Sequence, residues 1–273
     1  MELGIIGLGK MGGNIARQCI KRDIKVVGKD PNADPELEKI GVKIAHDYDD
    51  FVKKLKTPRV IFLSLPAGSL IDDVLEDLVE YLNNGDILLD GGNSYYRDSI
   101  RRAKELEEKS IFFVDCGTSG GVIGAREGAS FMVGGKKEAI KICEPILRKL
   151  SVEGGFIQCG KSGSGHFVKL VHNGIEFGML QSIGEGTELL SRSEFDLNLR
   201  DIFKMWTHGT VIRSWLIELM AKGLKDLSNI EDVPDYIEDT GEVNWLVQEA
   251  INKEIPIPVI TQSIIELFKS RKK

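Results

Sequence analysis

The chain has 273 residues, 42% of them hydrophobic and 29% charged, with 36 basic against 42 acidic side chains and a formal net charge of −6. That length exceeds one ordinary core and predicts two packed units. An acidic excess spread along the chain leaves no basic field for nucleic acid. No apolar run approaches the roughly 18 residues of a membrane-spanning helix, and the opening Met1-Glu2-Leu3-Gly4-Ile5-Ile6-Gly7 lacks a signal-peptide pattern. The expectation is a cytoplasmic protein with neither a membrane nor a nucleic-acid partner.

Short β-branched or leucine-rich runs predict strands at Leu3–Gly7, Lys25–Lys29, Arg59–Leu63, Asp86–Leu89, Ile111–Asp115, Ser130–Val133 and Gly155–Gln158. Amphipathic segments separate them, such as Ser69–Leu82, whose Leu70, Ile71, Val74, Leu75, Leu78 and Leu82 recur at helical spacing. Alternation of this kind builds a largely parallel sheet covered by helices. After Gly160 the strand signal fades, and Lys161-Ser162-Gly163-Ser164-Gly165 reads as a flexible junction. Helical periodicity then covers His166–Leu190, Leu199–Thr207, Val211–Leu224 and Val243–Lys269, the last broken at Ile255-Pro256-Ile257-Pro258. The expected organisation is an α/β domain over 1–160 followed by an all-α domain over 161–273. Cys19, Cys116, Cys143 and Cys159 show no C-x-x-C spacing and read as buried thiols rather than metal ligands or disulfides. The basic end, Lys269 to Lys273, reads as a solvated tail.

Gly7-Leu8-Gly9-Lys10-Met11-Gly12 is a G-x-G-x-x-G that follows an apolar strand and opens a helical segment. Glycine allows the tight turn, the close approach of backbone to a pyrophosphate and the packing of helix on strand, while the helix N-terminus offers N–H groups to the phosphates. Asp30 closes the second strand, where an acidic side chain accepts the ribose hydroxyls of a dinucleotide. The same carboxylate repels a 2′-phosphate and no arginine follows it, so NAD is favoured over NADP, with Lys29 the one nearby charge that would soften the choice. The first domain is therefore expected to be a Rossmann domain that binds NAD.

On the helix after the junction, Lys169, His172, Asn173 and Glu176 stand at i, i+3, i+4 and i+7, which places them on one stripe among Phe167, Val168, Leu170, Val171 and Ile175. A solvated polar face is the plain alternative to a site. Asp90-Gly91-Gly92-Asn93-Ser94 and Gly117-Thr118-Ser119-Gly120-Gly121 each follow an apolar strand and so read as loops at the C-terminal edge of the sheet, where α/β ligands bind. Both are also ordinary tight-turn sequences.

Across these segments the chain resembles the 6-phosphogluconate dehydrogenases, in the short-chain, decarboxylating branch of the β-hydroxyacid dehydrogenases. The resemblance is carried by Gly7-Leu8-Gly9-Lys10-Met11-Gly12, Pro66-Ala67-Gly68, Asp90-Gly91-Gly92-Asn93-Ser94, Ser119-Gly120-Gly121, the run His166 to Glu176, and His208-Gly209-Thr210-Val211-Ile212-Arg213-Ser214. It implies NAD-dependent oxidative decarboxylation of 6-phosphogluconate to a ketopentose phosphate and CO₂, without a metal. Lys169 would be the general base on the 3-hydroxyl and then polarise the new ketone. Glu176 would protonate the enediol left when CO₂ departs. A base lysine must be neutral in the oxidising complex. Asn93, Ser119, Gly120, Gly121, His172 and Asn173 match substrate contacts, and Leu65, Pro66, Ala67 and Asn93 match positions lining the cofactor.

The departures gather at one end of the substrate. Phe177, Thr207, Asn244 and Leu267 stand where the family commonly offers tyrosine or basic phosphate donors. A non-phosphorylated aldonate or a simpler β-hydroxy acid is the alternative substrate, and a non-catalytic dinucleotide sensor the alternative class. A helical domain of this size is expected to need a homodimeric or homotetrameric partner to cover its apolar face.

Overall fold

The computed structural model describes residues 1–225, 232–234, 236–238 and 241–272, so Lys273 of the basic end lies outside the described residues. Strands β1 (Glu2–Ile6), β2 (Lys25–Lys29), β3 (Lys43–Ile44), β4 (Val60–Leu63), β5 (Ile87–Asp90), β6 (Phe112–Ser119), β7 (Ala129–Gly134) and β8 (Ser151–Gly160) form one eight-stranded sheet in the order β3-β2-β1-β4-β5-β6-β7-β8. Every neighbouring pair is parallel except β6 with β7. The chain reverses its direction of travel across the sheet at β1 and β4, and a ligand crevice opens beyond the strand ends at such a point.

Helices α1 (Lys10–Lys21), α2 (Glu36–Lys39), α3 (Tyr48–Lys53), α4 (Ser69–Val79), α5 (Tyr96–Glu108), α6 (Gly121–Glu127) and α7 (Lys137–Leu150) cover the two faces. Strand alternation decides which face each side chain joins. Leu3, Ile5, Val26, Phe62, Leu89 and Val114 pack with Ile15 and Cys19 of α1 and Ile140 and Leu147 of α7. Ile6, Val27, Ile61, Leu63, Leu88 and Phe113 pack on the other face with Phe51 of α3, Ile71 and Leu78 of α4, and Leu106 of α5. Each fully buried aliphatic or phenyl side chain contributes roughly 1.5–3 kcal/mol. All four thiols are free; Cys19, Cys116 and Cys143 are buried and Cys159 half-buried. Burial pushes Cys19 and Cys143 up to about 12.

The molecule divides into compact units Met1–Leu170 and Val171–Lys273. The division falls within α8 (Ser164–Ser191), which continues into the second unit beside α9 (Leu199–Trp206), α10 (Trp215–Gly223), α11 (Glu242–Asn252) and α12 (Pro258–Ser270) in the chain. Helix α10 starts four residues later than periodicity places it, because Ser214 N-caps it by accepting from the Ile217 N–H at 3.3 Å. Pro256 and Pro258 separate α11 from α12, and Pro258 opens the latter. No helix among the described residues is long and apolar enough to cross a membrane.

Two readings of the sequence are corrected. Gly117 to Ser119 are not loop residues: they extend β6, paired antiparallel with Met132, Phe131 and Ser130 of β7. The segment Lys161 to Gly165 is not a loose junction, since the Gly163 N–H donates to the buried Asp115 Oδ1 at 2.6 Å and Ser164 already begins α8.

Candidate active site

The glycines of the first turn divide their work. Gly7 has φ +88°, and a Cβ there would lie 2.3 Å from the Ser64 carbonyl oxygen; a Cβ on Gly12 would lie 1.9 Å from the Gly7 oxygen. Those two glycines let β1, α1 and the segment after β4 come together. A Cβ on Gly9 would meet nothing within 4 Å, and Gly9 is the N-cap of α1 with no side-chain cap bond. Bare backbone at a helix N-terminus, open on its outer side, fits a dinucleotide pyrophosphate. Lys10 and Met11 follow in the first helical turn.

Asp30 stands just beyond β2 with its carboxylate oriented by two backbone donors, Leu8 N–H at 2.7 Å and Asn32 N–H at 2.7 Å. Two cations, one on β2 and one on α1, have partners of their own. Lys29 Nζ sits 4.8 Å from the centroid of the Tyr48 ring, a cation–π arrangement, and Arg17 is paired with Asp34.

Leu65, Pro66 and Ala67 form the loop between β4 and α4, and buried Arg102 of α5 fixes its end. Arg102 donates Nη2 to the Gly68 carbonyl at 2.9 Å and grips Asp72 through Nε at 2.8 Å and Nη2 at 3.0 Å. The hydrogen bond from Arg102, reinforced by Arg101, holds the Asp72 carboxyl below the usual carboxylate range. Arg102 Nη1 also lies 3.7 Å from Oδ2 of the fully buried Asp90, the last residue of β5. Asn93, in the loop that follows, is exposed.

Asp115 on β6 anchors the start of α8: besides Gly163, its carboxylate accepts the His166 N–H at 2.9 Å. Lys169 is 7% exposed. A Cβ on Gly117 would come 2.5 Å from the Lys169 Cβ, so only glycine on β6 lets the lysine stand against the strand. Ser119 ends β6, and Gly120 and Gly121 after it take φ of +118° and +58°. The first unit therefore carries the glycine turn, Asp30, Leu65 to Ala67, Asn93, Ser119 to Gly121 and Lys169 at or beyond the C-terminal halves of β1, β2, β4, β5 and β6.

Lys169, His172, Asn173 and Glu176 do share one face of the continuous helix α8. Two of the four are buried, Lys169 at 7% and Asn173 at 6% exposed, while the side chains of His172 and Glu176 are 40% and 42% exposed. In the second unit, His172 Nδ1 lies 3.4 Å from Asn173 Oδ1 and 3.8 Å from Glu176 Oε2. Of the four departures, Leu267 is buried, the Thr207 hydroxyl donates to the Lys204 carbonyl at 2.8 Å, Phe177 is half-buried and Asn244 exposed.

The sequence reading gave no role to Asp115, His166, Arg102 or Ser99, which brace these loops from behind. The available signal was polar residues at the ends of apolar strands and on the inner side of a predicted helix, positions that are expensive to bury without partners.

The family model of the NAD binding domain of 6-phosphogluconate dehydrogenase matches residues 2–160, and that of the C-terminal domain of 6-phosphogluconate dehydrogenase matches residues 165–273. YqeC of Bacillus subtilis, a provisionally named 6-phosphogluconate dehydrogenase, is 42% identical over 99% of this chain and 91% of its own length. The NAD(+)-dependent, decarboxylating 6-phosphogluconate dehydrogenase of Haloferax volcanii is 40% identical, with the same coverage of 99% and 91%. The Plasmodium falciparum 6-phosphogluconate dehydrogenase, solved alone, with NADP+ and with 6-phosphogluconate, superposes with a TM-score of 0.90 at 31% identity, covering 99% of this chain and 62% of that one. The chain is an oxidoreductase that belongs to the 6-phosphogluconate dehydrogenase family and carries that family's nicotinamide dinucleotide-binding domain.

Proposed function

We propose that the chain catalyses NAD-dependent oxidative decarboxylation of 6-phosphogluconate to a ketopentose phosphate and CO₂. The observation that carries this reading is Lys169, buried and backed against Gly117 of β6, on the helix face that also bears His172, Asn173 and Glu176. Gly7 to Gly12 would hold the pyrophosphate, Asp30 the adenosine ribose, and Leu65, Pro66, Ala67 and Asn93 would line the rest of the dinucleotide. Bound there, the nicotinamide supplies the acceptor for the hydride that leaves C3.

Lys169 Nζ removes the proton of the 3-hydroxyl as that carbon becomes a ketone. It then returns the proton to the ketone oxygen while the bond from C2 to the carboxylate breaks, its electron pair forming the enediol and CO₂ leaving. Glu176 protonates the carbon that lost the carboxylate while Lys169 Nζ takes back the hydroxyl proton from the neighbouring oxygen, completing the ketose. Asn93, Ser119, Gly120, Gly121, His172 and Asn173 orient the carboxylate and hydroxyls. The choice of NAD over NADP rests on the Asp30 carboxylate held by Leu8 and Asn32, with Lys29 drawn onto Tyr48. The reading includes a homo-oligomer, supported by the exposed Ile175, Met179, Leu180 and Leu189 of α8.

The test is NAD reduction with CO₂ release from 6-phosphogluconate, in the wild type and in Lys169→Met. Loss of a general base lowers turnover roughly 10²–10⁴-fold, with NAD binding retained. Wild-type turnover by Lys169→Met would end the assignment.

A further inference from the structure

His166 lies one helical turn before Lys169 on α8 and is 2% exposed. Its Nε2 is 3.1 Å from the Asp90 carbonyl oxygen and its Nδ1 is 2.7 Å from the Ser99 hydroxyl. A carbonyl can only accept, so Nε2 carries the proton and donates. In the neutral ring Nδ1 then accepts from Ser99. The His166 main-chain N–H donates to Asp115. One residue thus ties α8 to the end of β5, to α5 and to β6.

Lys169 follows at i+3, on the same side of the helix. Its Cβ has no room to move toward β6, because it stands 2.5 Å from where a Cβ on Gly117 would be. A small slide or rotation of α8 would therefore carry the lysine away from its seat rather than deeper into it. The Asp90 carbonyl to which His166 donates is the point from which the Gly91 to Ser94 loop, bearing Asn93, departs.

We propose that His166 is a positioning residue, whose Nε2–H bond to the Asp90 carbonyl fixes Lys169 relative to the loop that carries Asn93. This rests on Lys169 being the base. An ångström of misplacement at a reacting group can cost about 10²-fold in rate, and a buried carbonyl that loses one of its donors favours such a movement.

Three substitutions in the full chain separate the bonds. In His166→Gln the amide reaches the Nε2 position and still donates to Asp90. In His166→Asn the amide reaches only the Nδ1 level, keeping a polar neighbour for Ser99 and losing the bond to Asp90. His166→Ala loses both. The expected pattern is kcat within about threefold of wild type for Gln and roughly 10–100-fold lower for Asn and Ala, with NAD affinity by fluorescence titration unchanged in all. In the impaired variants a substrate deuterated at C3 should show a larger isotope effect on kcat. The Gln and Asn variants differ by one methylene, so the comparison survives if Ala does not fold. Full kcat in Asn, or Gln no better than Asn at equal Tm, would overturn the positioning role. Turnover by Lys169→Met would instead overturn the base assignment. An inactive Lys169→Met beside a fully active His166→Asn would remove only the positioning role.

Discussion

The two units differ in how fully they cover their apolar residues: the second also buries Phe203, Ile217, Val243, Leu246, Ile264 and Leu267, but leaves more of its longest helix exposed. In Met1–Leu170 apolar residues fill both faces of the sheet, and the buried charges near its strand ends meet countercharges or backbone donors. In Val171–Lys273 the long helix turns Ile175, Met179, Leu180 and Leu189 outward and keeps Asn173 in. A helix facing a core of its own buries its apolar stripe. In the function proposed for the chain, these residues of α8 meet what binds there: the substrate at His172, Asn173 and Glu176, and another copy of the chain at exposed apolar residues such as Leu189.

If the first unit is closed on itself, its heaviest loss should follow from opening a buried pair. Asp86 is fully buried and accepts from Arg59 Nη1 at 2.6 Å, Arg59 N–H at 2.7 Å and Asn83 N–H at 2.9 Å. Asp86→Ala strands the Arg59 guanidinium and should cost about 3–5 kcal/mol, read as a fall in the denaturant midpoint. A change under about 1 kcal/mol would mean the pair is relieved by water and the closure is weaker than described.

The glycine turn sharpens the contrast within a single loop. Gly12→Ala forces a methyl into the Gly7 carbonyl and should cost about 1–3 kcal/mol or more of stability. Gly9→Ala, with open space before it, should leave Tm nearly unchanged and weaken NAD binding measured by titration. Equal effects of the two on Tm would show that Gly9 also serves the fold.

Asp30→Ala should shift the NAD to NADP ratio of kcat/KM by about 1–3 kcal/mol toward NADP, the size of a charged hydrogen bond. An unchanged ratio would remove Asp30 from the adenosine end. Should the ratio stay in favour of NAD after the substitution, Tyr48 holding Lys29 aside is the remaining structural reason.

Much of this was legible because periodicity and fingerprint coincide. Lys25–Lys29 is a strand with the predicted ends, and the glycine motif lies where strand meets helix. The elements that escaped, β3, α2, α3 and α6, have two, four, six and seven residues, too few for a period to show. The extension of β6 through Gly117 to Ser119 was hidden because glycine and serine read as a turn. Pairing with β7 and the close approach of Lys169 are tertiary facts that outweigh that local signal. The Asp115 and His166 braces were hidden for the same reason: each is one polar residue whose partners lie 48 to 76 positions away.

The smallest expected effect belongs to the second unit and concerns the terminal phosphate of the substrate. Phosphate recognition relies on charge-assisted bonds, best from arginine. Leu267 cannot supply one, being apolar and 3% exposed, and Phe177 has no donor. The Thr207 hydroxyl is spent on the Lys204 carbonyl. Arg213 is exposed and lines a cavity of about 640 Å³ among Ile175, Met179, Phe203, Trp206 and Ile217, which leaves one guanidinium for the task. The kcat/KM for 6-phosphogluconate should then exceed that for gluconate by less than about a hundredfold, equivalent to about 2.7 kcal/mol of transition-state binding. In Arg213→Ala the two substrates should become nearly equal. A larger preference that survives this substitution would mean that basic groups from another copy of the chain complete the phosphate site. The exposed apolar residues of α8 and the substrate site would then be two parts of one assembly.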